Sequence, residues 1–320
     1  MRTDNTLYVV IPCYREEAVL PETAKRLGAK LRQLIRDGKI SPQSRALLVN
    51  DGSKDRTWEI IQSLHEQDHL FSGVNLSRNR GHQNALLAGL MTAVDCADVT
   101  ISMDADLQDD INAMDGMLDA YHEGCDVVYG VRSSRKTDSF FKRFTAEAFY
   151  RLMNAMGVEL VFNHADYRLM SRRAVEGLRE FSEVNLFLRG IVPLIGYKSA
   201  TVEYERAPRF AGESKYPLKK MLAFALDGIT SFSVKPLRLM LSLGVVVVMI
   251  SLVMLICLLI DGMDGSGFAM FSIWLIGGLQ LLGMGVLGEY IGKIYGESKH
   301  RPRFIIERVV NDKYYQETER

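Results

Sequence analysis

Val99-Thr100-Ile101-Ser102-Met103-Asp104-Ala105-Asp106-Leu107-Gln108-Asp109-Asp110 is a β-rich apolar run that empties into an acidic turn. Asp104 and Asp106 stand two apart, so in extended chain they project from one face. Carboxylates at that spacing repel each other unless a cation lies between them. Hard oxygen ligands suit Mg²⁺ or Mn²⁺, ions that complete their shells with water and substrate phosphates. Taken alone, the pair equally fits an acidic turn after a strand, and the rest of the chain must decide.

On the N-terminal side, Leu7 to Ile11 is an apolar run ended by Pro12, which predicts a buried strand entering a loop. Glu16 to Asp37 carries a helical apolar stripe. Arg45 to Val49 is a second strand, closed by Asn50-Asp51-Gly52-Ser53, and Asp55-Arg56-Thr57 leads into a helix through Leu64. Val74 to Leu76 is a third strand and Gly81 to Val94 a Gly/Ala-rich helix. Val99 to Met103 is the fourth strand, followed by a helix near Ala113 to Glu123 and a fifth strand at Asp126 to Tyr129. Phe140 to Met156 reads as a helix with an aromatic face. The alternation predicts an α/β fold, a largely parallel sheet with helices on both faces. Ligands of such sheets bind at the carboxyl ends of the strands, so Pro12, Asp51, Arg78 and Asp104 should converge on one rim.

The chain has 39 basic and 39 acidic residues, so no net field favours nucleic acid. Cys13, Cys96, Cys125 and Cys257 form no C-x-x-C pair, which predicts reduced thiols in a cytosol-facing protein rather than disulfides or a zinc site. The N-terminus starts on a strand-like segment, with no signal-peptide core expected. His82 and His164 are isolated and read as structural.

The composition changes near residue 217. Residues 217–235 form an apolar-biased helix with Lys219 and Lys220 near its start, expected to lie in a membrane interface. Pro236 breaks it. Two nearly uncharged stretches follow, about 237–260 and 268–288, each long enough to span a bilayer of about 20 residues' helical depth. The second is rich in Gly, which allows close helix packing and possible homo-oligomers. Lys and Arg flank the outer ends of the pair, while the loop at 261–265 carries only Asp. Both termini are therefore expected in the cytoplasm, with 1–216 as the catalytic domain, 236–290 as a two-helix transmembrane hairpin and 291–320 as a cytoplasmic tail.

Val10-Ile11-Pro12-Cys13-Tyr14-Arg15-Glu16-Glu17, Val49-Asn50-Asp51-Gly52-Ser53-Lys54-Asp55-Arg56-Thr57 and Asp104-Ala105-Asp106-Leu107-Gln108-Asp109 together resemble family 2 glycosyltransferases of the GT-A (Rossmann-like) fold. With the hairpin, the whole chain resembles their membrane-anchored polyprenyl-phosphate subgroup, which includes bactoprenol glucosyltransferases and dolichol-phosphate mannose synthases. One departure is Asp110-Ile111, where the family usually has Pro after the acidic cluster. The resemblance implies a nucleotide-sugar donor, a polyprenyl-phosphate acceptor among membrane lipids, and inversion at the anomeric carbon at the bacterial cytoplasmic (inner) membrane. It implies Asp104 and Asp106 as ligands of Mg²⁺ or Mn²⁺. Pro12, Tyr14, Glu16, Asp51, Asp104, Ala105 and Gln108 would bind the donor, with Arg209 and Lys215 from a basic loop before the membrane. Glu17 is left as a first-turn helix acid.

Asp166, in Asn163-His164-Ala165-Asp166-Tyr167-Arg168, maps to the family's catalytic Asp, and Arg132 to a Gly-x-Arg position that is taken as catalytic; Arg132, Arg209 and Lys215 would either neutralise the diphosphate or guide the acceptor phosphate. A phosphate monoester is largely dianionic at neutral pH, its second pKa being about 6. Asp166 is accordingly open as a proton acceptor, an acceptor-orienting group or an electrostatic stabiliser, and a structural pairing with Arg168 also fits. Arg135, Lys142 and Arg143 are explained by a basic surface above anionic lipid. A processive polysaccharide synthase would carry Gln-x-x-Arg-Trp, yet neither Trp58 nor Trp274 follows an Arg. A non-catalytic scaffold would not need the intact acidic pair.

Overall fold

Strand β1 (Leu7–Cys13) has all seven residues buried, as a strand covered on both faces requires. The computed structural model that shows this describes residues 5–133, 164–184, 186–207, 229–230, 233–261 and 266–311. β1 lies between β2 (Arg45–Asn50) and β4 (Val99–Ser102), parallel to both, and β2 pairs in parallel with β3 (Phe71–Leu76). Helices α1 (Leu20–Arg36), α2 (Thr57–Gln67) and α3 (His82–Ala93) make the crossovers. α1 begins four residues later than the apolar stripe suggests. Pro21 sits in its first turn, where a missing N–H costs nothing. Leu20, Leu27, Leu31 and Leu34 on α1 are fully buried against the sheet.

The second half of the sheet was less legible. After α4 (Ala113–His122), β5 (Val127–Arg132) does not pair with β4. A further strand, β6 (His164–Ser171), lies between them, antiparallel to both. Short helices α5 (Arg172–Arg179) and α6 (Leu188–Leu194) lead to β7 (Ser199–Tyr204), parallel to β5 at the sheet edge. The full order is β7-β5-β6-β4-β1-β2-β3-β8.

That last strand, β8 (Ile306–Val310), runs antiparallel to β3. The stretch expected as a tail thus completes the catalytic sheet. Its Glu-Arg-Val-Val pattern is short, and its pairing comes from β3's otherwise open edge. The expected helix at 140–156 lies outside the described residues, as do most of the interfacial helix at 217–235 and the loop at 262–265.

The described residues fall into two units, the sheet unit (through 207, with 302–311) and a helical unit (229–301). The helical unit holds α7 (Lys235–Asp261) and α8 (Ser266–Ser298). α8 runs ten residues beyond the expected end at 288, since nothing breaks it before Pro302. Leu239, Leu241 and Met249 on α7 and Ile273, Leu281 and Met284 on α8 are exposed apolar side chains. Among the described residues, Leu275–Ser298 is the one segment long and apolar enough to cross a membrane.

Candidate active site

Three loops at the carboxyl ends of β1, β2 and β3 are hydrogen-bonded into one rim. Asp51 N–H donates to the Cys13 carbonyl at 2.9 Å, Arg15 N–H to Ser53 Oγ at 3.0 Å and Glu16 N–H to Thr57 Oγ1 at 3.0 Å. Pro12 ends within β1, and Tyr14 stands on this rim 43% exposed, with the Arg15 guanidinium 5.4 Å from its ring centre. Asp51 is buried, and its carboxylate accepts from Arg80 N–H at 2.7 Å and Gly81 N–H at 2.9 Å. Burial raises its pKa against the pull of those two donors and of His82. Any donor contact through Asp51 must use its remaining lone pairs. Gly52 has φ +59°, and a Cβ there would stand 2.4 Å from the Arg78 carbonyl carbon. Only glycine lets these two loops meet.

The acidic turn follows β4. Met103 N–H donates to the Val10 carbonyl at 3.2 Å, holding the chain straight up to Asp104. Leu107, at φ 57°, turns it back, and Gln108 N–H bonds Asp106 Oδ1 at 3.2 Å. The Ala105 carbonyl accepts from Thr23 Oγ1 at 2.8 Å, which ties the turn to α1. Gln108 faces the stretch after β7: its amide meets the Ala207 carbonyl at 3.4 Å and the Arg206 guanidinium. Asp109, buried, accepts from Tyr204 Oη at 2.6 Å. Burial raises Asp109, while Tyr204, Arg132 and Arg206 oppose. Arg132 therefore stands beside Asp109 and Tyr204, a few residues from the acidic pair.

Asp166 reaches the same rim because β6 is antiparallel. Ser102 pairs with Arg168, so two residues on from Ser102 and two back from Arg168, Asp104 comes opposite Asp166. The Asp166 side chain is 13% exposed and takes Arg168 Nη2 at 2.8 Å, with Arg189 Nε and Nη2 both at 3.1 Å. Burial alone would raise it. Arg189, a hydrogen bond from His82, and Arg168 outweigh that and hold it well below the usual carboxylate range. His82 Nε2 lies 3.5 Å from both Asp104 Oδ1 and Asp166 Oδ2. The sequence left His82 isolated, whereas the structure sets it between two carboxylates. Burial lowers the His82 pKa, but Asp166 and Asp104 together raise it by more.

His82, Arg189, Arg206 and the Asp109–Tyr204 pair were not singled out from the sequence. His82 could have been, since it directly follows a strand-end loop as Asp51 does. Arg189 and Tyr204 come from the second half of the sheet, where no pattern announced the pairing. Arg209 and Lys215 lie outside the described residues.

Asp104 is pushed up to about 6, first by burial, then by the charges of Asp109, Asp166 and Asp106 against His82. Its side chain nevertheless keeps 35% of its surface open. Among the described residues no group of three or more His, Cys, Asp and Glu is gathered to hold a metal ion. Two partly exposed carboxylates two residues apart do fit a cation that takes its other ligands from a diphosphate and water.

A mostly parallel sheet with acidic side chains gathered at its strand ends is a GT-A type α/β domain with a ligand-binding rim. The chain belongs to glycosyl transferase family 2, whose family model matches residues 8–179, and it is a glycosyltransferase. It is 52% identical over 306 residues to the "Uncharacterized glycosyltransferase YkoT" of Bacillus subtilis (strain 168), covering 94% of this chain and 91% of that one. It is 41% identical over 305 residues to the bactoprenol glucosyl transferase of Shigella phage SfV (93% and 97%). With the prophage bactoprenol glucosyl transferase homolog of Escherichia coli (strain K12) it shares 40% over 308 residues (94% and 98%).

Proposed function

We propose that this chain transfers one sugar from a nucleoside-diphosphate sugar, UDP-glucose or UDP-N-acetylglucosamine, to polyprenyl (undecaprenyl) phosphate, with inversion, at the cytoplasmic face of the bacterial inner membrane. The observation that carries the reading is the juxtaposition of Asp104 and Asp166 across β4 and β6, at the rim where Asp51 and Tyr14 also stand. Near full-length similarity to bactoprenol glucosyl transferases supports the acceptor class.

Asp104 and Asp106 would hold Mg²⁺ or Mn²⁺, which as a Lewis acid eases departure of the nucleoside diphosphate. Tyr14 offers an exposed ring to the base, and the backbone-clamped Asp51 keeps that pocket in shape. Asp166, locked as a carboxylate by two guanidiniums, is a weak base. A dianionic acceptor phosphate has no proton to lose, so the work left for Asp166 is to orient its arginines and stabilise positive charge developing at the anomeric carbon.

The membrane reading draws on chain connectivity. The chain leaves the sheet unit before α7 and returns to it as β8. A sheet on one side of a bilayer with both connections on that side requires an even number of crossings, which suits α7 and α8 as a hairpin spanning about 20 residues each. Tethering confines the search for a lipid acceptor to two dimensions.

Incubating membranes that contain the protein with a panel of radiolabelled nucleotide sugars and undecaprenyl phosphate should label a lipid fraction with one donor. Donor binding with no lipid labelled by any donor would sink the proposal.

A further inference from the structure

Asp166 is met by two guanidiniums as well as by His82. Arg168 is 2% exposed and also donates from Nη1 to the Leu188 carbonyl at 3.3 Å, so it is built into the fold. Its Nε has no hydrogen-bond partner among the described residues. Arg189 is different: its side chain is 31% exposed, and it offers the planar fork that suits carboxylate and phosphate alike. It is the first residue after Leu188, whose N–H is held at 2.8 Å by Gln83 Oε1. Gln83 adjoins His82 on α3, so the Arg189 backbone is fixed relative to Asp104. Arg168 and Arg189 face Asp166 and, across His82, Asp104, and the Arg189 side chain keeps part of its surface exposed at the rim.

We propose that Arg189 is the receiving group for the acceptor's phosphate monoester, sharing its fork between Asp166 and a phosphate oxygen while Arg168 keeps Asp166 in place. The assignment rests on the transferase reading given above and names where the attacking nucleophile is held. A partly exposed guanidinium fork suits an anion beside a carboxylate that would otherwise repel it. A phosphate monoester next to the donor's anomeric carbon is that anion. The Asp166–Arg189 contact then serves the protein without acceptor and positions the guanidinium for its arrival.

The test uses the full chain in detergent, with undecaprenyl phosphate titrated at saturating donor and donor titrated at saturating acceptor. Arg189→Gln should raise the acceptor KM about tenfold or more, as loss of a charge-assisted bidentate contact does, with donor KM unchanged within about twofold. Arg189→Lys, which restores charge without the fork, should recover part of the loss and also covers the case in which Gln fails to fold. A fall in kcat with acceptor KM unchanged would overturn the assignment, leaving Arg189 as a group that only orients Asp166. A parallel rise in donor KM would overturn it in favour of the diphosphate. If the wild-type chain labels no polyprenyl phosphate, the transferase reading itself fails, and the Arg189 assignment with it.

Discussion

Asp104 and Asp166 face each other and are driven in opposite directions. Asp166 has a depressed pKa, so its stabilising effect is complete above the unfolded value near 3.9 and is lost as pH falls through the lower folded value. Asp104 is the reverse: its folded pKa, about 6, lies above the unfolded one, so its ionisation penalises the fold increasingly from about pH 4 to 6 and fully beyond. In metal-free buffer, Asp104→Asn should therefore raise Tm at pH 8, modestly because the side chain is partly open, and the gain should vanish near pH 4. Equal melting at pH 8 would contradict the cost of ionising Asp104 in its buried, acidic surroundings. With donor and divalent cation, the same variant should lose most turnover. For Asp166→Asn, kcat should fall about 10²–10³-fold, as for loss of a preorganised electrostatic contact, and the loss should not diminish up to pH 9. Recovery of rate as pH rises would restore the general-base role.

The elements differ in how plainly they announced themselves. β2 and β4 are apolar runs followed closely by Asp51-Gly52 and Asp104, so strand and site were read together, while β1 runs one residue past the Pro12 expected to end it. β6 was missed because Tyr167-Arg168-Leu169-Met170 places a fully buried arginine in its middle. A charge in a strand is normally a sign against burial, and only Asp166 and the Leu188 carbonyl make it tolerable. The β2–α2 turn carries its own prediction. Gly52→Ala places a Cβ at a left-handed position against the Arg78 backbone. The conformational strain alone is about 1–2 kcal/mol, and the collision adds to it. The variant should melt earlier and show a raised donor KM, because Asp51's grip on Arg80 and Gly81 depends on that approach. An unchanged donor KM would separate the turn from the donor pocket.

Across the whole molecule, the stretch after the helical unit returns to brace the rim. Ser77 N–H donates to the Ile305 carbonyl at 3.0 Å, Asn75 Nδ2 to Glu307 Oε2 at 2.9 Å, and Asn50 Nδ2 to Asn75 Oδ1 at 2.7 Å, next to Asp51. A chain ended at His300 keeps both long helices but loses β8 and bares the β3 edge. It should aggregate more readily and bind donor more weakly; intact donor affinity would show that β8 only covers an edge. If α7 and α8 cross the membrane as proposed, a cysteine placed at Gly262 should react with an impermeant reagent only from outside the cell, and reaction from the cytoplasmic side would refute the hairpin. The sequence by itself determined the α/β class, the strand-end position of Pro12, Asp51 and Asp104, and the apolar change near 217, because each is written in local periodicity and turn chemistry. Only the tertiary structure decided that Asp166 meets Asp104, that Arg189 and His82 join them, and that β8 closes the sheet. Those depend on which strand pairs with which, and pairing between distant segments is settled by packing and hydrogen bonding that no local pattern records.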